Sequence, residues 1–345
     1  MIRSYTLKVS NVIQETPDAV TICFKQPGLK KISYLPGQYL TLIVNVNGRR
    51  YRRPYSLSSA HGLDATLNVT VKRVPHGVVS NYLCDTIKEG DIMEVNEPMG
   101  DFVYRSSLQA RQVFLWGAGS GITPLYAILK AALQTGTAQI ALVYINQHPE
   151  KAIFLKELLT LRNQYADRFV MHNYFTRCDD EHADPFCYNY RLDNKSIAEM
   201  LSTVAHSNQA VHYICGPTLL KTSLKEVFKQ LDINDDQVFS EDFDHVVDES
   251  QLQDVHTADV QLNFQHEKFS IEVVRGKSIL EAALDRSIDL PYSCQNGSCT
   301  LCKARLVSGS VKQIGSGMHT DLLQSNERLL CCSYPLSHDV QLEVE

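Results

Sequence analysis

No apolar run in the chain approaches the roughly 18 residues that a membrane-crossing helix needs, so a bilayer span is excluded. Met1 to Ser10 alternate polar and apolar positions and lack the basic-then-apolar layout of an export leader. Export is therefore not expected, and a cytoplasmic location is. No internal repeat and no low-complexity tract is found, which excludes a solenoid or a biased disordered array. Positive charge is not in excess: the formal net charge is −6 and no block of Lys and Arg stands out, so the footprint of a nucleic-acid binder is missing.

What is present is globular. With 345 residues, 44% of them hydrophobic and 21% charged, the chain is too long for one ordinary core, and two or three domains are expected. Ten cysteines would read as disulfides in a short secreted protein. Here five of them fall between Cys294 and Cys332 in a chain with no export signal, which favours metal or cluster ligation.

Three rhythms follow one another. Tyr39 to Val46 and Thr66 to Val74 alternate with period two, and Pro36-Gly37, Asn47-Gly48 and His61-Gly62 punctuate them. This predicts a small antiparallel β-barrel over residues 1–105. From about residue 111, short apolar runs at Gln112 to Trp116, Ile140 to Ile145, Phe169 to Phe175 and Val211 to Cys215 alternate with helical patterns at Thr123 to Leu133, Lys151 to Leu161 and Leu219 to Leu231. That alternation predicts a parallel sheet with covering helices, a Rossmann-like α/β domain over 106–243. Residues 244–258 are polar, acidic and aperiodic, and read as an exposed linker. A last segment, 259–345, has strand-like runs at Val260 to Phe264 and Phe269 to Val274, a short helix at Ser278 to Arg286, and then the cysteine loop.

Cys294, Cys299 and Cys302 are separated by four and two residues, and Cys331 follows after another 28. This is the spacing of a plant-type [2Fe-2S] cluster, with three thiolates from one tight loop and a fourth from farther along. Such a loop must turn backbone N–H groups toward a strongly negative cluster, and Gly297-Ser298 supplies the small residues. The alternatives are buried free thiols or a zinc site, but zinc sites usually pair two C-x-x-C knuckles and only one is here. The run Cys331-Cys332-Ser333-Tyr334-Pro335 resembles the ending of plant-type ferredoxins, which implies Cys331 as the ligand and Cys332 as a packed thiol. Across 259–345 the resemblance to ferredoxins is continuous, and it implies their β-grasp (α+β) fold.

Arg53-Pro54-Tyr55-Ser56 stands where a barrel strand should end, and Gly77-Val78-Val79-Ser80 follows it. Arg53 offers a forked, charged hydrogen bond to a pyrophosphate, and Tyr55 a flat face for a ring system. Gly77 to Ser80 would present N–H groups to phosphate at a helix start. The two segments, in this order, resemble the flavin motifs of the ferredoxin-NADP reductase superfamily. The likeness implies FAD, with Ser56 near the reactive flavin nitrogen. Pro75-His76 stands where the family often has glycine, so the backbone before Gly77 is expected to be stiffer.

Gly117, Gly119 and Gly121, followed by Thr123-Pro124, lie after a strand and open a helix, as a pyrophosphate-binding turn does. Cys215-Gly216-Pro217 ends a later strand. Cys215 alone would read as a core thiol, but in the same superfamily this tripeptide lies beside the nicotinamide. Glu241 and Phe243 occupy the place where related reductases carry an acid and an aromatic near the flavin. A 2′-phosphate calls for Arg or Lys after the second or third strand. Gln147 stands at the second, which slightly favours NADH over NADPH, while Thr176-Arg177 at the third could still hold a phosphate.

The order of the three segments resembles the reductase components of bacterial multicomponent oxygenases, the phenylacetyl-CoA epoxidase reductase subunit and the hybrid-cluster protein reductase. That likeness implies an oxidoreductase relay from nicotinamide through flavin to the cluster, and on to a protein acceptor such as an oxygenase. Ser56, Cys215 and Glu241 are its expected catalytic residues. A free-standing diaphorase and a redox sensor without turnover remain as alternatives.

Overall fold

The computed structural model describes the chain apart from residues 1–2, 29–30, 106–109, 179–183, 203–209, 244–246, 316–317, 319 and 345. It divides into two compact units. One comprises Met1–Leu42 with Tyr55–Asp242, the other Ile43–Pro54 with Phe243–Glu345.

The first sheet has six strands: β1 (Ser4–Thr16), β2 (Ala19–Lys25), β3 (Tyr39–Val46), β4 (Arg49–Ser56), β5 (Thr66–Lys72) and, after helix α1 (Val78–Thr86), β6 (Ile92–Asn96). Their order is β4-β3-β6-β1-β2-β5, and β1 runs antiparallel to both β2 and β6, as β2 does to β5. The β-branched alternation in β5 (Val69 and Val71 inward) buries one face, as the pattern requires.

The second sheet is built from β7 (Gln112–Ala118), helix α2 (Ile122–Thr135), β8 (Gln139–Asn146), α3 (Leu155–Gln164), β9 (Phe169–Phe175), β10 (Cys187–Tyr188), α4 (Asn194–Ser202), β11 (Val211–Cys215), α5 (Thr218–Gln230) and β12 (Val238–Glu241). All pairings are parallel in the order β10-β9-β8-β7-β11-β12. The reversal of strand order beside β7 makes the carboxyl ends of β7 and β11 the crevice where such sheets bind ligands. Helix α2 is buried along most of its length, and one hydrophobic core joins its Leu125, Ile128 and Leu129 to Ala19 of β2 and to Phe102, in the segment after β6. Truncating any of these leucines to alanine would cost about 2–5 kcal/mol. The shared core explains why both sheets belong to one unit.

In the second unit, β13 (Ala258–Phe264), β14 (Glu267–Val273), helix α6 (Ile279–Asp285), β15 (Lys303–Ser308), β16 (Val311–Gln313), β17 (Glu327–Leu329), β18 (Ser333–Pro335) and β19 (Gln341–Val344) follow in order. Five strands form a mixed sheet, β14-β13-β19-β15-β17, with β13 and β19 parallel, and β16 pairs with β18. Helix α6, capped reciprocally by Ser278 and Glu281, packs Ile279, Leu280 and Ala283 into that sheet's core, which is the expected β-grasp arrangement.

The expectation of an exposed linker over 244–258 fails from Asp248 onward. Glu249–Leu252 form a 3₁₀ turn with Asp248 as its cap, and Leu252 and Val255 pack against Ile314 and Tyr334. Arg275 donates to the Leu252 carbonyl and Lys312 pairs with Asp254 at 2.6 Å. Two apolar residues three apart share one face of such a turn, and that suffices to dock an otherwise polar stretch.

Candidate functional site

At the carboxyl ends of β7 and β11 two backbone turns are in contact. Gly119–Gly121 form a 3₁₀ turn that leads directly into α2. A Cβ on Gly121 would lie 2.0 Å from the carbonyl oxygen of Cys215, and one on Gly216 would lie 3.1 Å from the Cβ of Ala118. Only glycine permits this approach. The start of α2 has no side-chain cap, and a helix start left open in this way is suited to receive a pyrophosphate. Thr123 Oγ1 donates to the Ser120 carbonyl at 2.9 Å and holds the turn closed, while Pro124 sits within the first helical turn, where it forfeits no bond.

The helix start at α1 has the same character. Gly77 is its N-cap without a side-chain cap, and a Cβ there would meet Ser80 Oγ at 2.6 Å. Ser80 is buried and its hydroxyl accepts from the Val74 amide at 3.1 Å, while Asn81 donates to the Val74 and Gly77 carbonyls. Val78 and Val79 begin the helix, and their amides point along its amino-terminal end. His76, ahead of them, takes φ +60°, a strained value for a side-chain-bearing residue and the one that the family's glycine would adopt freely.

Ser56, Cys215 and Glu241 come together. Cys215 and Glu241 are partners in the parallel register of β11 and β12, and Ser56 Oγ donates to Glu241 Oε2 at 3.4 Å. Glu241 keeps partial surface exposure, yet enclosure of its carboxyl by protein pushes it up to about 8, with the Ser56 hydrogen bond and the Lys221 charge opposing only in part. Burial and the neighbouring Glu241 push the Cys215 thiol well up, so it stands there neutral. A proton-exchanging carboxyl and a small, neutral, polarizable thiol beside a phosphate turn suit a flat ring delivered by a nucleotide.

Gln147 and Arg177 meet through the main chain at the ends of β8 and β9, where the Arg177 amide donates to the Gln147 carbonyl at 3.0 Å; the Arg177 side chain is exposed. Arg53 lies over the Tyr51 ring, 5.7 Å from its centroid, and donates to the Arg52 carbonyl at 2.8 Å. Pro54 ends the hairpin segment assigned to the second unit, Tyr55 begins the next stretch of the first, and Phe243 is half exposed.

In the second unit the four predicted thiols converge. Cys294, Cys302 and Cys331 are buried, and the Cys299 and Cys331 thiols hydrogen-bond that of Cys294. These two donors pull the Cys294 thiol down, while Cys299 and Cys331 are driven up by their bonds to Cys294 and by burial. The Cys294 amide donates to Cys299 Sγ, and the Cys331 amide to Cys302 Sγ, each at 3.5 Å. Gly297 takes φ +90°, and a Cβ there would strike Met318 at 2.6 Å. Among the described residues no group of three or more His, Cys, Asp or Glu is arranged to hold a metal ion. The sulfurs form a chain of contacts, in pairs tied by amide-to-sulfur bonds, and four cysteines so crowded could all ionise only with the positive charge of bound iron among them. The set fits a [2Fe-2S] cluster. Cys332 Sγ touches Cys331 Sγ at 3.6 Å and is fully buried.

Two residues of the site escaped the sequence reading. Lys72 ends β5 with its Nζ 3.3 Å from where a Gly119 Cβ would be, which brings a half-buried ammonium to the phosphate turn. A cation closing a strand just before a flavin turn was a signal that could have been used. Lys221 lies buried in α5, paired with Asp242. A lysine within an amphipathic helix normally reads as solvent face, and nothing in the sequence marks this one.

Comparison with known proteins agrees with the geometry. An oxidoreductase FAD-binding domain model matches residues 6–104, an oxidoreductase NAD-binding domain model residues 115–226, and a 2Fe-2S iron-sulfur cluster binding domain model residues 262–336. The chain is 30% identical to the ferredoxin reductase component of 3-ketosteroid-9-alpha-monooxygenase from Rhodococcus rhodochrous, over 99% of this chain and 97% of that one. It is also 30% identical to a subunit of the 1,2-phenylacetyl-CoA epoxidase from Escherichia coli strain K12, over 99% and 98% of the two chains. The solved structure of phthalate dioxygenase reductase superposes with a TM-score of 0.69 at 23% identity, covering 99% of this chain and 98% of that one. With its antiparallel flavin sheet, parallel nucleotide sheet and β-grasp cluster fold in this order, the chain belongs to the family of oxidoreductases that join FAD-binding, NAD-binding and 2Fe-2S domains, the reductase components of oxygenase systems.

Proposed function

We propose that this protein takes electrons from NADH and delivers them singly to a partner oxygenase, or to a comparable redox protein, in the cytoplasm. Residues 1–105 would hold FAD, 106–243 the nicotinamide nucleotide and 259–345 the cluster, with 244–258 connecting them. When bound, FAD accepts the two electrons of a hydride and the cluster carries them onward one at a time. Tyr55 and Ser56 would face the flavin ring. Gly77, Val78, Val79 and Ser80, together with Arg53 and Pro54, would bind its phosphate-bearing side, and Phe243 would cover it. Gly117, Gly119, Gly121, Thr123 and Pro124, assisted by Lys72, would hold the nucleotide pyrophosphate, and Cys215, Gly216 and Pro217 would flank the nicotinamide. Cys294, Cys299, Cys302 and Cys331 would ligate iron.

The observation that carries this reading is the meeting of Ser56, Cys215 and Glu241 beside a glycine turn that no side chain can enter. The uncharged Gln147 after β8 supports NADH, while the exposed Arg177 after β9 is the residue that could hold the 2′-phosphate of NADPH. That the full-length relatives are named as a monooxygenase reductase component and as part of an epoxidase supports an oxygenase as acceptor. Anaerobic titration with NADH and separately with NADPH, following flavin and cluster absorbance together, tests the reading. NADH should bleach both, NADPH should need a much higher concentration, and bleaching of flavin without the cluster would refute the relay.

A further inference from the structure

The roles given to Ser56, Cys215 and Glu241 leave one buried charge unused. Lys221 is the fourth residue of α5 and only 8% exposed, a burial that lysine accepts only when paired. Its ammonium donates to the carboxylate of Asp242. Asp242 directly follows Glu241, the last residue of β12, and Glu241 is in register with Cys215, from which Gly216 and Pro217 lead straight into α5. The groups bearing on the Glu241 carboxyl are the Ser56 hydroxyl from β4, the Cys215 thiol from β11 and the Lys221 ammonium from α5; Asp242 adjoins it in the chain, and Lys225 bears on Lys221 from the next helical turn. Lys221 is thus the one cation in this set that acts on Glu241 directly.

We propose that Lys221, the ion-pair partner of Asp242, is a positioning residue that holds Glu241 poised between its protonated and ionised forms. The inference rests on the reading of Ser56, Cys215 and Glu241 as the hydride-transfer site. Enclosure favours the neutral carboxylic acid, and a nearby cation favours the carboxylate. With the ammonium gone, only the long Ser56 hydrogen bond opposes enclosure, and Glu241 stays protonated across the working pH range. The ion pair therefore decides whether the carboxyl can both give and take a proton.

The test follows the infrared band of the protonated carboxyl that Glu241→Gln removes, together with the pH profile of flavin reduction by NADH, in the flavin-loaded full chain. In Lys221→Met the band should persist to higher pH, its midpoint raised by about one to three units, and the profile should move with it. Lys221→Arg should restore the midpoint to within about half a unit, since the guanidinium keeps the charge. Asp242→Asn, which leaves the cation, should leave the midpoint unmoved or lower it. If Lys221→Met does not fold, Lys221→Met with Asp242→Asn removes both charges of the pair and should shift the midpoint in the same upward direction. An unmoved midpoint in the Lys221→Met protein, or an Asp242→Asn shift as large and in the same direction, overturns the proposal while the site reading stands. A band and profile indifferent to Glu241→Gln overturn both.

Discussion

Gly121 shows how much a single position can carry. Its Cα lies against the Cys215 carbonyl so closely that one methyl group would force the nucleotide turn and the strand end apart. Gly121→Ala should therefore raise KM for NADH by at least about tenfold, equivalent to about 1.4 kcal/mol of lost binding, while FAD content is retained. Steady-state kinetics beside a flavin-to-protein absorbance ratio would check this. Glu241 makes a second claim at this scale. Its carboxyl is raised in the folded state to about 8, from the ordinary 4.5, so the folded protein binds a proton there that the unfolded chain has lost. The resulting stability is fully present below about pH 4.5 and declines as pH rises toward 8. Thermal melts of Glu241→Gln should fall less steeply with pH across that window than those of the native protein; parallel curves would show the carboxyl to be ordinary. The four cysteines proposed as ligands and the glycines of the turns could be picked out in the sequence because the chemistry they would serve dictates their spacing. Lys221 was not, because its meaning lies in which way a helix faces, and only packing decides that.

At the scale of elements, period told most of the story. The alternating runs of β3 and β5 and the apolar runs of β7, β8, β9 and β11 fall within a few residues of where their patterns place them, although β3, buried continuously from Tyr39 to Val44, is covered on both faces where alternation predicts one. Short elements at the margins escaped: β10 has two residues and β12 four, too few for any period to show. The turn at Glu249–Leu252 escaped for another reason, since its polarity outweighs two buried residues. Its docking predicts a measurable cost. Leu252→Ala empties part of the small cluster with Val255, Ile314 and Tyr334 and should lower the stability of the second unit by about 2 kcal/mol. Loss of cluster absorbance on heating would report it, with a lower midpoint than in the native protein and an unchanged flavin-release midpoint. By the same assay Ser278→Ala, which removes the hydroxyl that accepts from the Glu281 amide but keeps the backbone bond to the Glu281 carboxylate, should cost about 1 kcal/mol.

For the whole molecule, the order of three cofactor-binding folds was readable because each brings its own motif, whereas the division into two units was not. Ile43–Pro54, read as barrel strands, group with the cluster fold, and the two sheets of the first unit share a core that no sequence pattern announces. Cys302 and Cys331 belong to a different core from Ile122 and Cys215, which flank the glycine turn, so damage to one should leave the other intact. Cys299 is the least buried of the four proposed ligands, and Cys299→Ser changes one atom. The variant should lose iron and acid-labile sulfide yet keep FAD and reduce ferricyanide with NADH at close to the native rate. Reduction of cytochrome c, which needs single electrons handed on through protein, should fall at least about tenfold. Ser56→Ala, by contrast, strikes upstream of both acceptors and should slow the two reactions by the same factor. If Cys299→Ser slowed both equally, or neither, the carriers would not act in series, and the covalent union of flavin and cluster folds in one chain would need another reason.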